Sequence, residues 1–268
     1  GNDCVALFLQ GCGGDVNPSG YKDVDHPSDA RLLGNQLALS TLKALPDITP
    51  QSAGPVRVQQ EQLQLPRAHF TERMARMKTE RQRLLSALRG TDLTLQTYLP
   101  LAVKYKLSPE YPSSYAHGYL HQAQQQRRDL EVHDAANRRR LHDYTQNIYI
   151  MEQLTRLQTN LRLLEKHERE LVDQGGDREL TVEIQVVQIG DFYLVTFPGE
   201  LTVEIGLNIK AASPHEQTFV AGYTNGYIYY APTSKQLQNP GYAQEDCDTL
   251  LGVGWQEKFE EKALEMLQ

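Results

Sequence analysis

The feature that most constrains this chain's fold is an abrupt change of hydrophobic period. Residues 56–65 (VRVQQEQLQL) and 180–189 (LTVEIQVVQI) alternate apolar and polar in steps of two, the pattern of strands with one buried face. Between them, residues 67–174 are rich in Arg, Gln, Glu and Leu. There Met74, Met77, Leu84 and Leu88 recur at steps of three or four, with Arg81 interrupting. Ile150, Leu154, Leu157, Leu161, Leu164 and Leu171 repeat the rhythm, with Glu168 interrupting. Sustained spacing of that kind belongs to helices packed along a seam. The chain must therefore close a sheet from segments far apart in sequence and carry a helical insertion between them.

The Pro-containing stretch 98–112 breaks the insertion, which predicts a helical hairpin or small bundle ended near Gly175-Gly176. Outside it, residues 5–10 (VALFLQ) read as a buried strand and residues 29–45 as a helix with Leu32, Leu33, Leu37, Leu39 and Leu42 on its apolar face. Strands are predicted at 192–197 and 218–221, and helices at 204–212 and 256–268, with Gly190-Asp191 as a hairpin turn. The expected fold is α/β or α+β: one mixed sheet from 5–10, 56–65, 180–189, 192–197 and 218–221, flanked by helices. One domain is expected from residues 1–66 and 175–268, with 67–174 inserted and able to mediate self-association through its seam.

A net charge of −7 argues against nonspecific nucleic-acid binding, which needs a basic footprint. No apolar run approaches the length of a membrane span. The chain opens on Gly1 rather than Met and runs into an apolar stretch, which reads as a processed piece. Cys4, Cys12 and Cys247 lack CxxC spacing and read as small buried apolar residues, although a Cys12–Cys247 pair is open. There is no Walker loop, GxGxxG or GxSxG. His117 and His121 are four apart but have no HExxH context, so they read as a solvated helix face.

Four segments carry residues suited to chemistry. In Gly13-Gly14-Asp15-Val16-Asn17-Pro18 the glycines permit close approach to the backbone, and Asp15 and Asn17 can orient a ligand or close an Asx turn. Pro198-Gly199-Glu200 places a carboxylate at a strand end, as a metal ligand, a general base or a helix cap. Residues 222–233 hold Tyr223, Tyr227, Tyr229 and Tyr230 with Asn225 between them. Those hydroxyls need partners, in a site or in an aromatic loop on the sheet. Pro240-Gly241-Tyr242 presents one more phenol on a turn.

Taken in order, these segments resemble the catalytic domain of the neutral/alkaline (non-lysosomal) ceramidases, which are zinc amide hydrolases. The matching elements are Gly14-Asp15-Val16-Asn17-Pro18, Pro198-Gly199-Glu200, the run from Asn225 through Tyr230 to Thr233, and Tyr242 twelve residues after Tyr230. The resemblance covers about residues 5–42 and 180–251. It implies that Glu200 and Tyr230 correspond to zinc ligands and that Tyr242, with Asp15 and Asn17, belongs to the catalytic groups. Gly13, Gly14, Asn225 and Tyr227 are implied as substrate-binding. Asn17 stands where the family has its catalytic serine, and a carboxamide is not a nucleophile. This leaves a zinc-hydroxide route, with Asn17 donating to the oxyanion. The family's two zinc histidines lie upstream of this sequence, so zinc is expected in the complete protein and weak or absent in this chain. The implied substrate is a small-molecule or lipid-like amide, and a secreted or periplasmic location follows from the resemblance alone. Two readings stand: part of a zinc-dependent amidase-like hydrolase, or a non-catalytic module binding a ligand or partner.

Overall fold

The computed structural model describes residues 7–18, 29–49, 54–108, 116–173 and 175–268. The chain divides into two compact units, Gly1–Thr71 with Leu163–Gln268, and Glu72–Arg162.

In the first unit, helix α1 (Arg31–Ala44) precedes strand β1 (Val56–Pro66). After the other unit come β2 (Glu179–Ile189), β3 (Phe192–Thr196), β4 (Glu200–Leu201), α6 (Val203–Ala212), β5 (Thr218–Ala221), β6 (Tyr230–Ala231) and α7 (Trp255–Met266). The main sheet is mixed, in the order β1-β2-β3-β5: two antiparallel ladders and then a parallel β3–β5 pair. The long β1–β2 ladder joins Val56 to Ile189 and Pro66 to Glu179 across the whole insertion. Gly190, at φ 60, turns the chain between β2 and β3, a conformation open to glycine. A parallel neighbour needs a crossover, and β4 with α6 supplies it between β3 and β5.

The alternation in β2 is borne out by Val182, Ile184 and Val186, all buried. They meet Phe197, Leu201, Ile205 and Ile209 from the crossover and Trp255, Phe259 and Ala263 from α7 in one core. Trp255 is fully buried, and its indole N–H donates to the Pro232 carbonyl at 2.9 Å. β1 departs from the expected pattern. Its end at Leu65 is buried, but Val56 and Val58 are 65% and 59% exposed, because β1 is an edge strand that runs past the packed region.

The strand expected at 5–10 is corrected. Val5 and Ala6 lie outside the described residues, and residues 7–10 form no strand. Leu7 and Phe8 are 85% and 73% exposed. Among the described residues the sheet ends at β5, and just past that strand the Gly222 N–H donates to the Gln10 carbonyl at 3.1 Å. Helix α1 forms where its period placed it, but its leucines are exposed.

The second unit is helical: most of α2 (Thr71–Ala87), then α3 (Leu95–Leu107), α4 (His117–Gln124) and the greater part of the 45-residue α5 (Asp129–Asp173), whose last turns from Leu163 belong to the first unit. Arg81 donates to Gln158, and the Arg89 amide to Asn147, so partners run down one helix as they run up the other, an antiparallel pair. Met77, Leu84, Leu154, Leu157 and Leu161 are buried. Thr94 and Thr97 start α3 with a reciprocal capping box. Among the described residues no helix is long and apolar enough to cross a membrane.

Candidate functional site

β4 and β6 are only two residues long, but they pair parallel in a register that sets Glu200 beside Tyr230. Residues paired in this way project from the same side of the ladder. The Glu200 N–H donates to the Tyr229 carbonyl at 2.9 Å, and the Tyr230 N–H to the Asp248 carbonyl at 3.0 Å. The two strands are therefore held by their neighbours as well as by each other.

Three phenols surround the Glu200 carboxylate. Tyr223 donates to Oε2 at 2.7 Å, and Tyr227 donates to Oε1. The Tyr230 hydroxyl is pushed above the ordinary phenol range, first by burial, then by the charges of Glu200, Asp248 and Glu245 and by a hydrogen bond to Glu200. Tyr223 and Tyr227 are raised too, first by burial and then by their bonds to the same carboxylate. All three stay protonated donors at neutral pH, so the Glu200 carboxylate accepts from a set of phenols.

The backbone carrying these rings is strained. Tyr223, Asn225 and Tyr229 have φ of 59°, 56° and 65°. Left-handed conformations in non-glycine residues are uncommon and gather at functional sites. The bonds from Ile228 N–H to Pro198 carbonyl and from Thr224 Oγ1 to Phe197 carbonyl pin the loop to the strand before Glu200.

The glycine loop also reaches this place. The Gly14 N–H donates to the Leu201 carbonyl at 2.8 Å, and a Cβ at Gly14 would lie 2.2 Å from the Glu200 carbonyl oxygen. Only glycine permits that approach. Gly13 accepts from the Val16 N–H and closes the turn. Asp15 is occupied otherwise: its Oδ1 accepts the Val203 N–H at 2.8 Å and satisfies the start of α6. Asn17 is exposed beside it. Asn225 donates to Glu183 on β2 at 2.9 Å. Tyr242 is half-buried on the loop before Asp246.

A neighbouring pair escaped sequence reasoning. His167, on the last turns of α5, is fully buried, and its Nε2 lies 2.7 Å from Asp248 Oδ1. Its ring meets Tyr229 edge-on at 4.7 Å, and Lys166 reaches the Tyr229 hydroxyl at 3.2 Å. The only signal was that His167, one of three histidines on α5, lies between Leu164 and Leu171 on the apolar face, and Asp248 carried none.

Among the described residues no three His, Cys, Asp or Glu side chains cluster to hold a metal. Glu200 and Tyr230 are two adjacent oxygen donors, which fits part of a zinc coordination shell; an imidazole would have to come from elsewhere. Cys12 and Cys247 are not joined in a disulfide.

No family model matches the chain. A neutral ceramidase of Mycobacterium tuberculosis (strain ATCC 25618 / H37Rv) is 34% identical over 77 residues, which are 26% of this chain and 12% of that protein. The crystal structure of neutral ceramidase from Pseudomonas aeruginosa is 26% identical over 32% of this chain and 15% of its own, with a TM-score of 0.29. A structure described as ceramidase complexed with C2 gives the same identity and TM-score over 14% of its length. The chain thus carries a ceramidase-like region and spans a small fraction of the proteins it matches.

Proposed function

We propose that this chain is part of a zinc-dependent amide hydrolase, in which Glu200 and Tyr230 are two of the metal's ligands. The observation that supports this reading is their pairing across β4 and β6, with the phenol turned to the carboxylate. Zinc bound there would supply a Lewis acid and a water activated near neutral pH. The chain's own groups have distinct tasks. Tyr223 and Tyr227 hold the Glu200 carboxylate in one orientation. Gly14 keeps the first loop against β4, leaving Asn17 exposed at its outer side as a donor to an amide oxygen. Tyr242 is assigned to the wall of the same site, and the substrate to the class of N-acyl amides, lipid-like ones included. Zinc affinity in this chain is low, because two oxygen donors do not complete a tetrahedral shell.

The test is zinc titration by calorimetry, alone and with added imidazole as the missing ligand. Affinity should be weak in zinc alone, rise with imidazole, and disappear in Glu200→Ala and Tyr230→Phe. Zinc binding that ignores both substitutions would refute the assignment. The second reading, a module that binds without catalysis, draws support from Asp15 and Asn225, whose side chains are committed to α6 and β2. Ligand binding retained in Glu200→Ala would favour it.

A further inference from the structure

We infer that His167 is a positioning residue for the Glu200–Tyr230 pair, acting through Asp248 and Tyr229; this rests on the reading of that pair as the functional site. The imidazole is buried away from the carboxylate it would serve, but two routes join them. Along the first, Nε2 meets Asp248 Oδ1 at 2.7 Å, and the Asp248 carbonyl accepts the Tyr230 N–H at 3.0 Å. A carboxylate only accepts, so Nε2 carries the proton and donates. Asp248 is thereby held at both its side chain and its backbone, and the strand bearing Tyr230 is held with it.

The second route is aromatic. His167 packs edge-on against Tyr229 at 4.7 Å, and Tyr229 packs edge-on against Tyr227 at 5.4 Å. Tyr227 donates to Glu200, and the Tyr229 carbonyl accepts the Glu200 N–H. Tyr229 is also the residue at φ 65, a conformation that persists only where surroundings enforce it. His167 on one side and Lys166 at its hydroxyl supply that enforcement.

A buried polar group with one free nitrogen is an expensive way to fill space. Nδ1 of His167 makes no hydrogen bond among the described residues, and Glu170 Oε2 stands 3.6 Å away. A leucine of similar bulk would avoid that penalty. What leucine lacks is the directed bond to Asp248, which supports a positioning role over mere core filling.

The experiment uses the full chain with fluorotyrosine incorporated. Fluorine resonances of Tyr227, Tyr229 and Tyr230 are assigned by single Tyr→Phe variants. His167→Leu should shift these resonances, moving Tyr227 in the direction that Glu200→Ala moves it. His167→Gln keeps an N–H donor for Asp248 and should bring the Tyr230 signal back. If His167→Leu leaves Tyr227 and Tyr230 in place, or if glutamine fails to restore Tyr230, the inference is overturned. Should His167→Leu not fold, Asp248→Asn replaces it, since that change weakens the same bond and must shift Tyr230. Zinc alone gives a separate readout. Where the chain binds zinc through Glu200, His167→Leu should weaken it about tenfold or more, as the loss of a ligand's supporting partner does. A chain with no Glu200-dependent zinc binding defeats the zinc reading, while the fluorine shifts still decide the role of His167.

Discussion

Gly14→Ala is the sharpest probe of how the first loop meets the site. The added Cβ would lie 2.2 Å from the Glu200 carbonyl oxygen, 2.9 Å from its carbon and 3.0 Å from the Leu201 oxygen. All three are backbone atoms, so no side chain can swing aside. Overpacking of this kind costs about 1–3 kcal/mol. The bond from Gly14 N–H to Leu201, lost as the loop retreats, adds about 0.5–1.5 kcal/mol. A total of about 2–4 kcal/mol is large beside a domain stability of about 5–15 kcal/mol. The exposed neighbours of Gly14 offer an easier escape than unfolding, since Asp15, Val16 and Asn17 all lie at the surface. The loop should therefore undock as a unit and take the Asp15 cap of α6 with it. Amide hydrogen exchange at Gly14 and Val203 measures this, and protection at both should fall about thirtyfold or more. Gly13→Ala is the control. Its Cβ would meet only the Gln10 amide nitrogen at 2.9 Å, the end of a flexible side chain, so it should change stability by about 0.5 kcal/mol or less. Unchanged protection in Gly14→Ala would refute the close approach on which the site's geometry rests.

Two further outcomes are expected. Burial pushes the Cys12 thiol up to about 11, against the opposing pull of Lys210. Alkylation near pH 8, followed at the Cys12 peptide, should run about a hundredfold slower than for a free thiol and accelerate until the pH passes about 11. The sign follows for stability as well: the contribution of the neutral thiol is complete below the unfolded-state value, about 8.5, and is lost as pH rises toward 11. Rapid labelling at neutral pH would contradict the burial. Trp255→Ala should lose about 3–5 kcal/mol in urea unfolding, because the indole is fully buried against Phe197 and Phe259. A loss below about 1 kcal/mol would remove Trp255 from the core.

Where a segment buries one face, its period reported its structure. Val182, Ile184 and Val186 alternate because one side of β2 rests on the core, and the strand emerged at its predicted place. Residues 5–10 show the limit of the same argument. An apolar run says that a segment gains by burial; it does not supply the sheet edge that would bury it. The described part of that run forms no strand and stays exposed. Helix α1 repeats the lesson, with a helical period as expected and leucines that stay exposed. Val56 and Val58 add a third case, since alternation cannot tell a central strand from the overhang of an edge strand.

The candidate site divides along a related line. Glu200 stood out as a carboxylate at a strand end among turn residues, and Tyr230 was distinguished from its neighbouring tyrosines by the resemblance to the ceramidases. Their pairing needed only that β4 and β6 run parallel, which the crossover through α6 makes natural. Asp15 and Asn225 looked equally free in the sequence. The structure gives each an ordinary duty, because an unsatisfied helix start and a nearby strand carboxylate compete for the same polar groups. His167 is the reverse case. It lies three residues after Leu164 and four before Leu171, on the buried face of α5, but its charged neighbours mask that place, and nothing local marks the turn on which the helix meets the loop bearing Tyr229 and Asp248. Its surroundings come from residues far away in both directions, Phe70 before it and Tyr229 and Asp248 after it. A side chain whose environment is built entirely by distant chain is visible only after folding. The supporting shell of a site is therefore harder to read than the groups it supports.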